Sequence, residues 1–308
     1  MQSYRLPPPL SKGTRIALTS ISRHVMPRQI QAAETLLKAR GYEVIRGEGI
    51  GRRDRCFAGT IFERVNDLNS LLMNANIDVI WLARGGYGAM EVLDSLPIQS
   101  PPLKWIVGYS DVTALHAEVQ YRWGWVTLHA TMPVLLEKGC PAELASMEAA
   151  LRVMQHQWEP ILWPVTPPMR VGVAEGVLVG GNVSVLTSLL GSRTDFSTRG
   201  KILVLEDVDE MVYHLDRLML TLRRAGKLNG LAALVVGGLT RMQDSEEPFA
   251  MERSAYEIVM ERLPDDAQYP VVQGAPFGHF PGQKPLLLGV PARLEVTNQT
   301  ACLTYLLP

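Results

Sequence analysis

Apolar and polar positions along the first half of the chain predict strands and helices in alternation. Short apolar runs predict strands, and stretches with apolar residues at 3.6-residue spacing predict amphipathic helices. The predicted strands are 15–20, 42–45, 77–83 and 103–108, and the predicted helices are 27–39, 61–74, 88–96 and 111–123. This alternation indicates an α/β fold with a mainly parallel, doubly wound sheet, in which ligands bind beyond the carboxyl ends of the strands.

The pattern changes between residues 155 and 170, where four prolines disfavour a helix or a central strand. We therefore expect a proline-rich linker at 156–170, between an N-terminal α/β domain at 1–155 and a C-terminal α/β domain at 171–308. The second half is richer in predicted strands, which are 174–178, 201–205, 232–236, 269–272, 292–296 and 301–306. Its predicted helices are 183–190, 210–225 and 252–262.

The composition is that of a globular protein with balanced charges. The 308 residues include 30 basic and 31 acidic side chains, a net charge of −1, so the basic excess of a nucleic-acid-binding protein is missing. No segment is long and apolar enough to predict a secretory signal or a membrane span, and we expect a cytoplasmic protein. Cys56, Cys140 and Cys302 are too dispersed to predict a metal or redox motif.

Ser110 follows a predicted buried strand and precedes a helix, in the segment Gly-Tyr-Ser-Asp at 108–111. A tight strand-to-helix turn exposes a hydroxyl and directs the next backbone N–H groups toward an oxyanion. Ser110 is therefore a candidate nucleophile, and the N–H of Asp111 is a candidate oxyanion donor. The hydrolase motif G-x-S-x-G is only half present, because Val112 replaces its second glycine. Helix capping by Ser110 or Asp111 is the alternative.

A serine nucleophile needs a base and a carboxylate that orients the base. Of six histidines, His279 is the best candidate, because it lies in a loop of turn-forming residues after a predicted strand. His129 also follows a strand, whereas His116 would face away from the serine on its helix. Glu206 and Asp207 end the strand 201–205, and we favour Glu206 because it is still attached to the strand.

Two glycine turns follow predicted buried strands. Arg-Gly-Gly-Tyr-Gly at 84–88 lacks the spacing of a nucleotide-binding loop, and we expect Gly85 or Gly86 to offer a backbone N–H to the oxyanion. Arg84 and Tyr87 are candidates for substrate binding, Arg84 through a carboxylate of the substrate. Gly-Gly-Asn at 180–182 precedes a predicted helix, so Asn182 is either a polar substrate contact or a helix cap.

Five motifs, in this order and spacing, resemble the LD-carboxypeptidase family of serine peptidases, which includes muramoyltetrapeptide carboxypeptidases and microcin C self-immunity proteins. They are Arg-Gly-Gly-Tyr-Gly at 84–88, Gly-Tyr-Ser-Asp at 108–111, Gly-Gly-Asn at 180–182, Leu-Glu-Asp at 205–207 and Phe-Gly-His at 277–279. The resemblance covers nearly the whole chain. It implies a triad of Ser110 as nucleophile, His279 as general base and Glu206 as its orienting partner.

The same resemblance implies a Rossmann-like N-terminal domain without a nucleotide, a strand-rich C-terminal α/β domain, a site between them and usually a homodimer. The implied reaction is release of the terminal D-alanine from the murein tetrapeptide L-Ala-γ-D-Glu-diaminopimelate-D-Ala in cytosolic recycling of cell-wall fragments. It proceeds through an acyl-enzyme, with no metal and no cofactor, and Arg84 is the candidate for recognising the free terminal carboxylate.

Two alternatives stay open. A microcin-immunity type of hydrolase would cleave peptidyl or aminoacyl nucleotides with the same triad, although the sequence has no clear insertion for the additional substrate-binding loop of such proteins. A non-catalytic two-domain ligand-binding protein would have an unreactive Ser110 and would be indifferent to the loss of His279.

Overall fold

The computed structural model describes residues 4–307, so residues 1–3 and 308 of the predicted domains lie outside the described residues. The strands of this part of the chain are β1 (Arg15–Thr19), β2 (Glu43–Arg46), β3 (Val79–Leu82), β4 (Trp105–Gly108), β5 (Thr127–His129), β6 (Ile161–Pro164), β7 (Gly172–Asn182), β8 (Ile202–Val208), β9 (Ala233–Thr240), β10 (Val271–Val272), β11 (Leu286–Leu288), β12 (Pro291–Val296) and β13 (Thr300–Tyr305). Its α-helices are α1 (Gln31–Ala39), α2 (Ile61–Met73), α3 (Met90–Leu93), α4 (Thr113–Trp123), α5 (Pro141–Met154), α6 (Val183–Ser188), α7 (Val212–Arg224) and α8 (Ala255–Glu261). Short 3-10 segments cover Pro27–Ile30, Ser110–Val112 and Pro133–Lys138.

The described residues form two compact units. Residues 4–158 and Pro281–Leu287 make up the first, and residues 159–280 and 288–307 make up the second. The segment 281–287 was expected in the C-terminal domain, but it packs with the first unit. The expected linker also contains a strand, β6, which pairs with β13 at the edge of a sheet. Prolines are tolerated at such an edge, so the proline-rich composition did not exclude pairing there.

The sheet of the first unit has the strand order β11-β5-β4-β3-β1-β2 among the described residues. The pairs from β2 through β5 are parallel, and β3 and β4 are buried at every position, as expected for parallel strands covered on both faces. The chain continues from β1 to β2 on one side and from β3 onward on the other. The strand order therefore reverses between β1 and β3, and ligands of such sheets bind at the carboxyl ends of the strands at this point.

The sheet of the second unit has the order β10-β9-β8-β7-β12-β13-β6. β7 to β10 pair in parallel, and β12, β13 and β6 extend the sheet in antiparallel pairs. Leu205 pairs with Val236 and Asp207 with Leu239, so a β-bulge in β9 sets Gly237 and Gly238 opposite Glu206. The α/β fold class, with a parallel sheet and a strand-rich second part, is confirmed.

Candidate active site

Ser110 stands after β4 in a strained backbone conformation. Tyr109 is extended, and Ser110 has a φ of 66° where the 3-10 turn Ser110–Val112 begins. A positive φ is uncommon for a residue with a side chain and costs about 1–3 kcal/mol, so the surrounding structure has to hold it. The residue is partly exposed. Ser110 therefore has the sharp turn and the accessibility that suit a nucleophile.

Gly85 allows the turn after β3 to approach this serine. A Cβ atom on Gly85 would lie 3.1 Å from the Cβ and 3.3 Å from the Oγ of Ser110. Any side chain at this position would press on the hydroxyl. The candidate oxyanion residues Gly85, Gly86 and Asp111 thus belong to two adjoining turns, and their role as donors stays a prediction.

The carboxylate of Asp111 joins the serine turn to two loops. Its Oδ2 accepts a hydrogen bond from Ser22 Oγ at 2.6 Å and from the backbone N–H of Ala89 at 2.9 Å. Burial raises the pKa of Asp111, and these two hydrogen bonds act in the opposite direction. Ser22 follows β1 and Ala89 follows β3, so one side chain fixes the loops on both sides of the strand-order reversal. Sequence analysis missed Ser22, since a serine after a strand is too common to be a signal.

Arg64 forms hydrogen bonds to the same two loops, which follow β1 and β3. It is buried on α2, and its Nη1 donates to the backbone oxygens of Ile21 and Gly88, each at 2.8 Å. Its Nη2 forms an ion pair with Glu91, and the guanidinium carbon lies 4.8 Å from the centre of the Phe57 ring. These contacts tie α2 to both loops, and removal of one partner would leave a buried charge uncompensated.

Arg84 and Tyr87 are accessible in the first unit. Tyr87 is 60% exposed, and its ring centre lies 5.8 Å from that of Phe57. Arg84 is partly exposed, and no carboxylate within residues 4–307 forms an ion pair with it. Their part in substrate binding stays a prediction.

His116 is held by the backbone at the end of β4. Its Nε2 lies 2.9 Å from the carbonyl oxygen of Gly108, and burial lowers the pKa of His116 to about 4. At pH 7 the imidazole is therefore neutral and donates from Nε2 to this carbonyl. This arrangement gives His116 a structural role, and it agrees with the expectation that His116 is not the base for Ser110.

In the second unit, Glu206 and His279 form a hydrogen-bonded pair. Nδ1 of His279 lies 2.6 Å from Oε2 of Glu206. The Glu206 side chain is fully buried, and the His279 side chain is 14% exposed. An ionised carboxylate can only accept, so Nδ1 carries the proton and Nε2 is the basic nitrogen of the neutral ring. A general base and its orienting partner have this arrangement.

Glycines let the loop that carries His279 lie against strands β8 and β9. The N–H of Gly238, in the bulge of β9, donates to the carbonyl oxygen of Phe277 at 2.8 Å. Gly278 has a φ of 121°, and a Cβ atom there would lie 3.2 Å from the Cβ of Glu206. The backbone can therefore pass directly over Glu206 and present His279 to it. Sequence analysis missed the two glycines of β9, although paired glycines inside a strand indicate a bulge or a close backbone approach.

Asp207 and Asn182 are engaged within the fold. Asn182 begins α6 as its cap, because Oδ1 accepts from the N–H of Val185 at 3.1 Å. Its Nδ2 donates to Asp207 at 2.8 Å, and Asp207 also accepts from the N–H of Ser184 at 2.9 Å. Burial raises the pKa of Asp207 to about 6, with a further contribution from the nearby charge of Glu206. Glu206, not Asp207, therefore lies against His279, and Asn182 has the helix-capping role.

Within residues 4–307, no group of three or more His, Cys, Asp and Glu side chains is arranged to hold a metal ion. No helix of that range has the length and apolar character to cross a membrane.

Comparison with known proteins agrees with the resemblance over both units. The LD-carboxypeptidase N-terminal domain matches residues 16–130, and the LD-carboxypeptidase C-terminal domain matches residues 175–294. A probable murein peptide carboxypeptidase of Bacillus subtilis is 30% identical over 303 residues, which cover 96% of this chain and 93% of that protein. The microcin C7 self-immunity protein MccF of Escherichia coli is 26% identical over 87% of this chain and 86% of its own length.

A solved structure extends the comparison to the fold. The crystal structure of muramoyltetrapeptide carboxypeptidase from Oxalobacter formigenes is 25% identical, covers 95% of this chain and 98% of that chain, and has a TM-score of 0.80. Since sequence similarity extends over both domains and almost the whole length, the chain belongs to the LD-carboxypeptidase family and is a serine-type carboxypeptidase.

Proposed function

We propose that this carboxypeptidase releases the terminal D-alanine of murein tetrapeptides in the cytoplasmic recycling of cell-wall fragments, with Ser110, His279 and Glu206 as its triad. The observation that carries the proposal is the buried Glu206–His279 pair, in which the carboxylate holds Nδ1 and leaves Nε2 as the base. The relatives named for murein peptide or muramoyltetrapeptide cleavage support this substrate.

In the proposed reaction, Nε2 of His279 takes the hydroxyl proton of Ser110 while Oγ attacks the carbonyl carbon of the third residue. Backbone N–H groups of Asp111 and of Gly85 or Gly86 stabilise the oxyanion of the tetrahedral intermediate. His279 then gives its proton to the amine of D-alanine, the C–N bond breaks, and an acyl-enzyme remains. Water then attacks the carbonyl carbon of this ester as Nε2 of His279 takes its proton. The bond between that carbon and Oγ breaks, Oγ of Ser110 takes the proton from His279, and the shortened peptide leaves with a new carboxyl group. Glu206 stabilises the imidazolium in both halves of the reaction.

Substrate binding is proposed for two further residues, Arg84 and Tyr87. Arg84 has no ion pair within residues 4–307, so its guanidinium is suited to the free carboxylate of an exopeptidase substrate. Tyr87 offers an exposed aromatic ring in the same turn. Asn182 lies opposite Glu206 in the pairing of β7 with β8, and its side chain caps α6. We therefore propose that Asn182 supports Glu206 and does not itself contact the substrate. The homodimer is proposed from the family resemblance alone.

The test is mass-spectrometric detection of D-alanine after incubation of murein tetrapeptide with the wild-type protein and with Ser110→Ala. We expect release by the wild type and a loss of ~10³-fold or more in Ser110→Ala, the scale for removing a triad nucleophile. Ser188→Ala, which removes an exposed hydroxyl on α6, is the control and should retain activity. Absence of D-alanine with the wild type contradicts the proposed substrate.

The second candidate function is hydrolysis of a peptidyl or aminoacyl nucleotide with the same residues. The similarity to the microcin C7 self-immunity protein over most of both chains favours it. Incubation with an aminoacyl sulfamoyl adenosine separates the two functions, because Ser110-dependent cleavage of that compound without D-alanine release assigns the chain to the second. The non-catalytic ligand-binding alternative does not agree with membership of a carboxypeptidase family.

A further inference from the structure

We propose that Arg23 binds the free terminal carboxylate of the substrate alongside Arg84. The inference rests on the proposed carboxypeptidase reaction and deepens it, because it names the residue that restricts the enzyme to the end of a peptide. Sequence analysis gave no signal for Arg23, which lies in the loop after β1.

Arg23 covers the turn that adjoins the nucleophile. A Cβ atom on Gly86 would lie 2.6 Å from Cδ and 3.0 Å from Nε of Arg23, and the φ of Gly86 is 113°. The backbone conformation therefore favours glycine at this position, and the Arg23 side chain fills the space beside it. The next residue toward the N-terminus, Gly85, is the one that approaches Ser110. Consecutive residues of one turn thus contact the candidate nucleophile and the arginine.

Arg23 has no ion-pair partner among the described residues. The residue is exposed, and no carboxylate within residues 4–307 forms an ion pair with Arg23 or with Arg84. Two acidic side chains of the neighbouring loops have other partners, since Glu91 pairs with Arg64 and the Asp111 carboxylate accepts two hydrogen bonds. A guanidinium group without an ion-pair partner attracts an anion, and its planar shape matches a carboxylate with two parallel hydrogen bonds.

Arg23 is also held in place, although its side chain is exposed. Ser20 Oγ donates to the backbone oxygen of Arg23 at 2.7 Å, and the N–H of His24 donates to the oxygen of Cys56 at 3.0 Å. The flanking Ser22 is bonded to Asp111. A binding residue on a loop that is fixed before the substrate arrives loses less entropy on binding.

The position agrees with the topology and with the chemistry of an exopeptidase. Arg23 follows β1 and Gly86 follows β3, the two strands between which the strand order reverses. In the substrate, the terminal carboxylate belongs to the residue directly after the scissile carbonyl, and neighbouring Cα atoms are about 3.8 Å apart. A carboxylate receptor must therefore adjoin the groups that bind the oxyanion, as Arg23 adjoins the turn of Gly85 and Gly86.

The experiment compares kcat/KM for the murein tetrapeptide and for the same peptide ending in D-alaninamide, which lacks the charge. We expect the preference of the wild type for the acid to fall about 10- to 100-fold in Arg23→Gln, the range of a charge-assisted hydrogen bond. Arg23→Lys should retain part of the preference, because lysine keeps the positive charge but lacks the planar guanidinium that forms two parallel hydrogen bonds. Arg28→Gln removes an exposed arginine five residues further along and should leave the preference unchanged. The thermal midpoint of each variant reports whether it is folded.

The outcomes separate this inference from the proposed function. An unchanged acid-to-amide preference in Arg23→Gln overturns the inference while the carboxypeptidase activity stands. A collapse of the preference in Arg84→Gln, with none in Arg23→Gln, also overturns it and leaves Arg84 as the receptor. If the wild type releases no alanine from the acid peptide, the proposed function itself fails.

Discussion

The two units fix their candidate catalytic side chains in different ways. In the first, Ser110 has a φ of 66°, and buried polar side chains hold the loops around it, chiefly Asp111 and Arg64. In the second, the loop that carries His279 lies on glycine backbone, and Glu206 is placed by a strand with a bulge opposite it. The first arrangement depends on side-chain hydrogen bonds, and the second depends on the absence of side chains.

This difference predicts how Ser110 and Glu206 respond to substitutions in their surroundings. Strain at Ser110 persists only while its neighbours hold it, so we expect the loss of one supporting hydrogen bond to alter the geometry of this candidate nucleophile. Glu206 belongs to a strand with paired neighbours on both sides, so its position is fixed by the sheet. Changes to its chemistry should therefore affect the reaction without displacing the residue.

The largest expected effect concerns Glu206 and its neighbour Asp207. Glu206→Gln should lower kcat by ~10³- to 10⁴-fold with the fold intact, because an amide neither stabilises the imidazolium nor fixes the tautomer of His279. Asp207→Asn is the matched change. It should reduce the free energy of unfolding by about 1–3 kcal/mol, since Asp207 accepts bonds from Asn182 and Ser184, while kcat changes little. A larger loss of kcat in Asp207→Asn than in Glu206→Gln would show that Glu206 is not the orienting partner.

A second prediction concerns how the free energy of unfolding depends on pH, through His116 in the first unit and Asp207 in the second. Burial lowers the pKa of His116 from 6.5 to about 4, so the unfolded chain binds more protons in that range and stability is lost as the pH falls from 6.5 toward 4. Burial raises the pKa of Asp207 from 3.8 to about 6, so the folded chain binds more protons and stability is lost as the pH rises from 3.8 toward 6. Each contribution amounts to about 3 kcal/mol at ~1.4 kcal/mol per pKa unit.

The measurement is the free energy of unfolding by denaturant between pH 4 and 7 for the wild type, His116→Gln and Asp207→Asn. Relative to the wild type, His116→Gln should lose less stability on acidification, and Asp207→Asn should lose more. If the free energy of unfolding depended on pH in the same way for all three proteins, the pKa shifts of His116 and Asp207 would be contradicted.

Sequence patterns predicted the elements that carry the site better than the contacts that hold them. The runs that became β4 and β8 were sufficient to place Ser110 directly after one strand and Glu206 in the last part of the other, because strand periodicity is a local signal. The predicted end of the second strand at residue 205 was too early, since β8 continues to Val208. Ser22 and Arg23 were missed, since their partners Asp111 and Gly86 lie more than sixty positions away and no local pattern records such a contact.

The linker shows the same limit. Proline content excludes a central strand, but it does not exclude an edge strand, and β6 lies at the edge. The return of 281–287 to the first unit depends on a non-local pairing of β11 with β5. Composition gives no information on pairing partners so distant in the chain.

The smallest expected effect tests the dependence of the first unit on its side chains. Ser22→Ala removes the hydroxyl that donates to Asp111 at 2.6 Å and leaves a buried carboxylate with one fewer donor. We expect a loss of about 1–2 kcal/mol in the free energy of unfolding. If the strained turn relaxes, kcat should fall, because the hydroxyl of the candidate nucleophile Ser110 is displaced. Ser188→Ala, an exposed serine bonded within its own helix, is the control for both measurements. Equal stability and kcat in Ser22→Ala and Ser188→Ala would show that Ser110 keeps its conformation without the hydrogen bond from Ser22, and the contrast between the two units would then lose its basis.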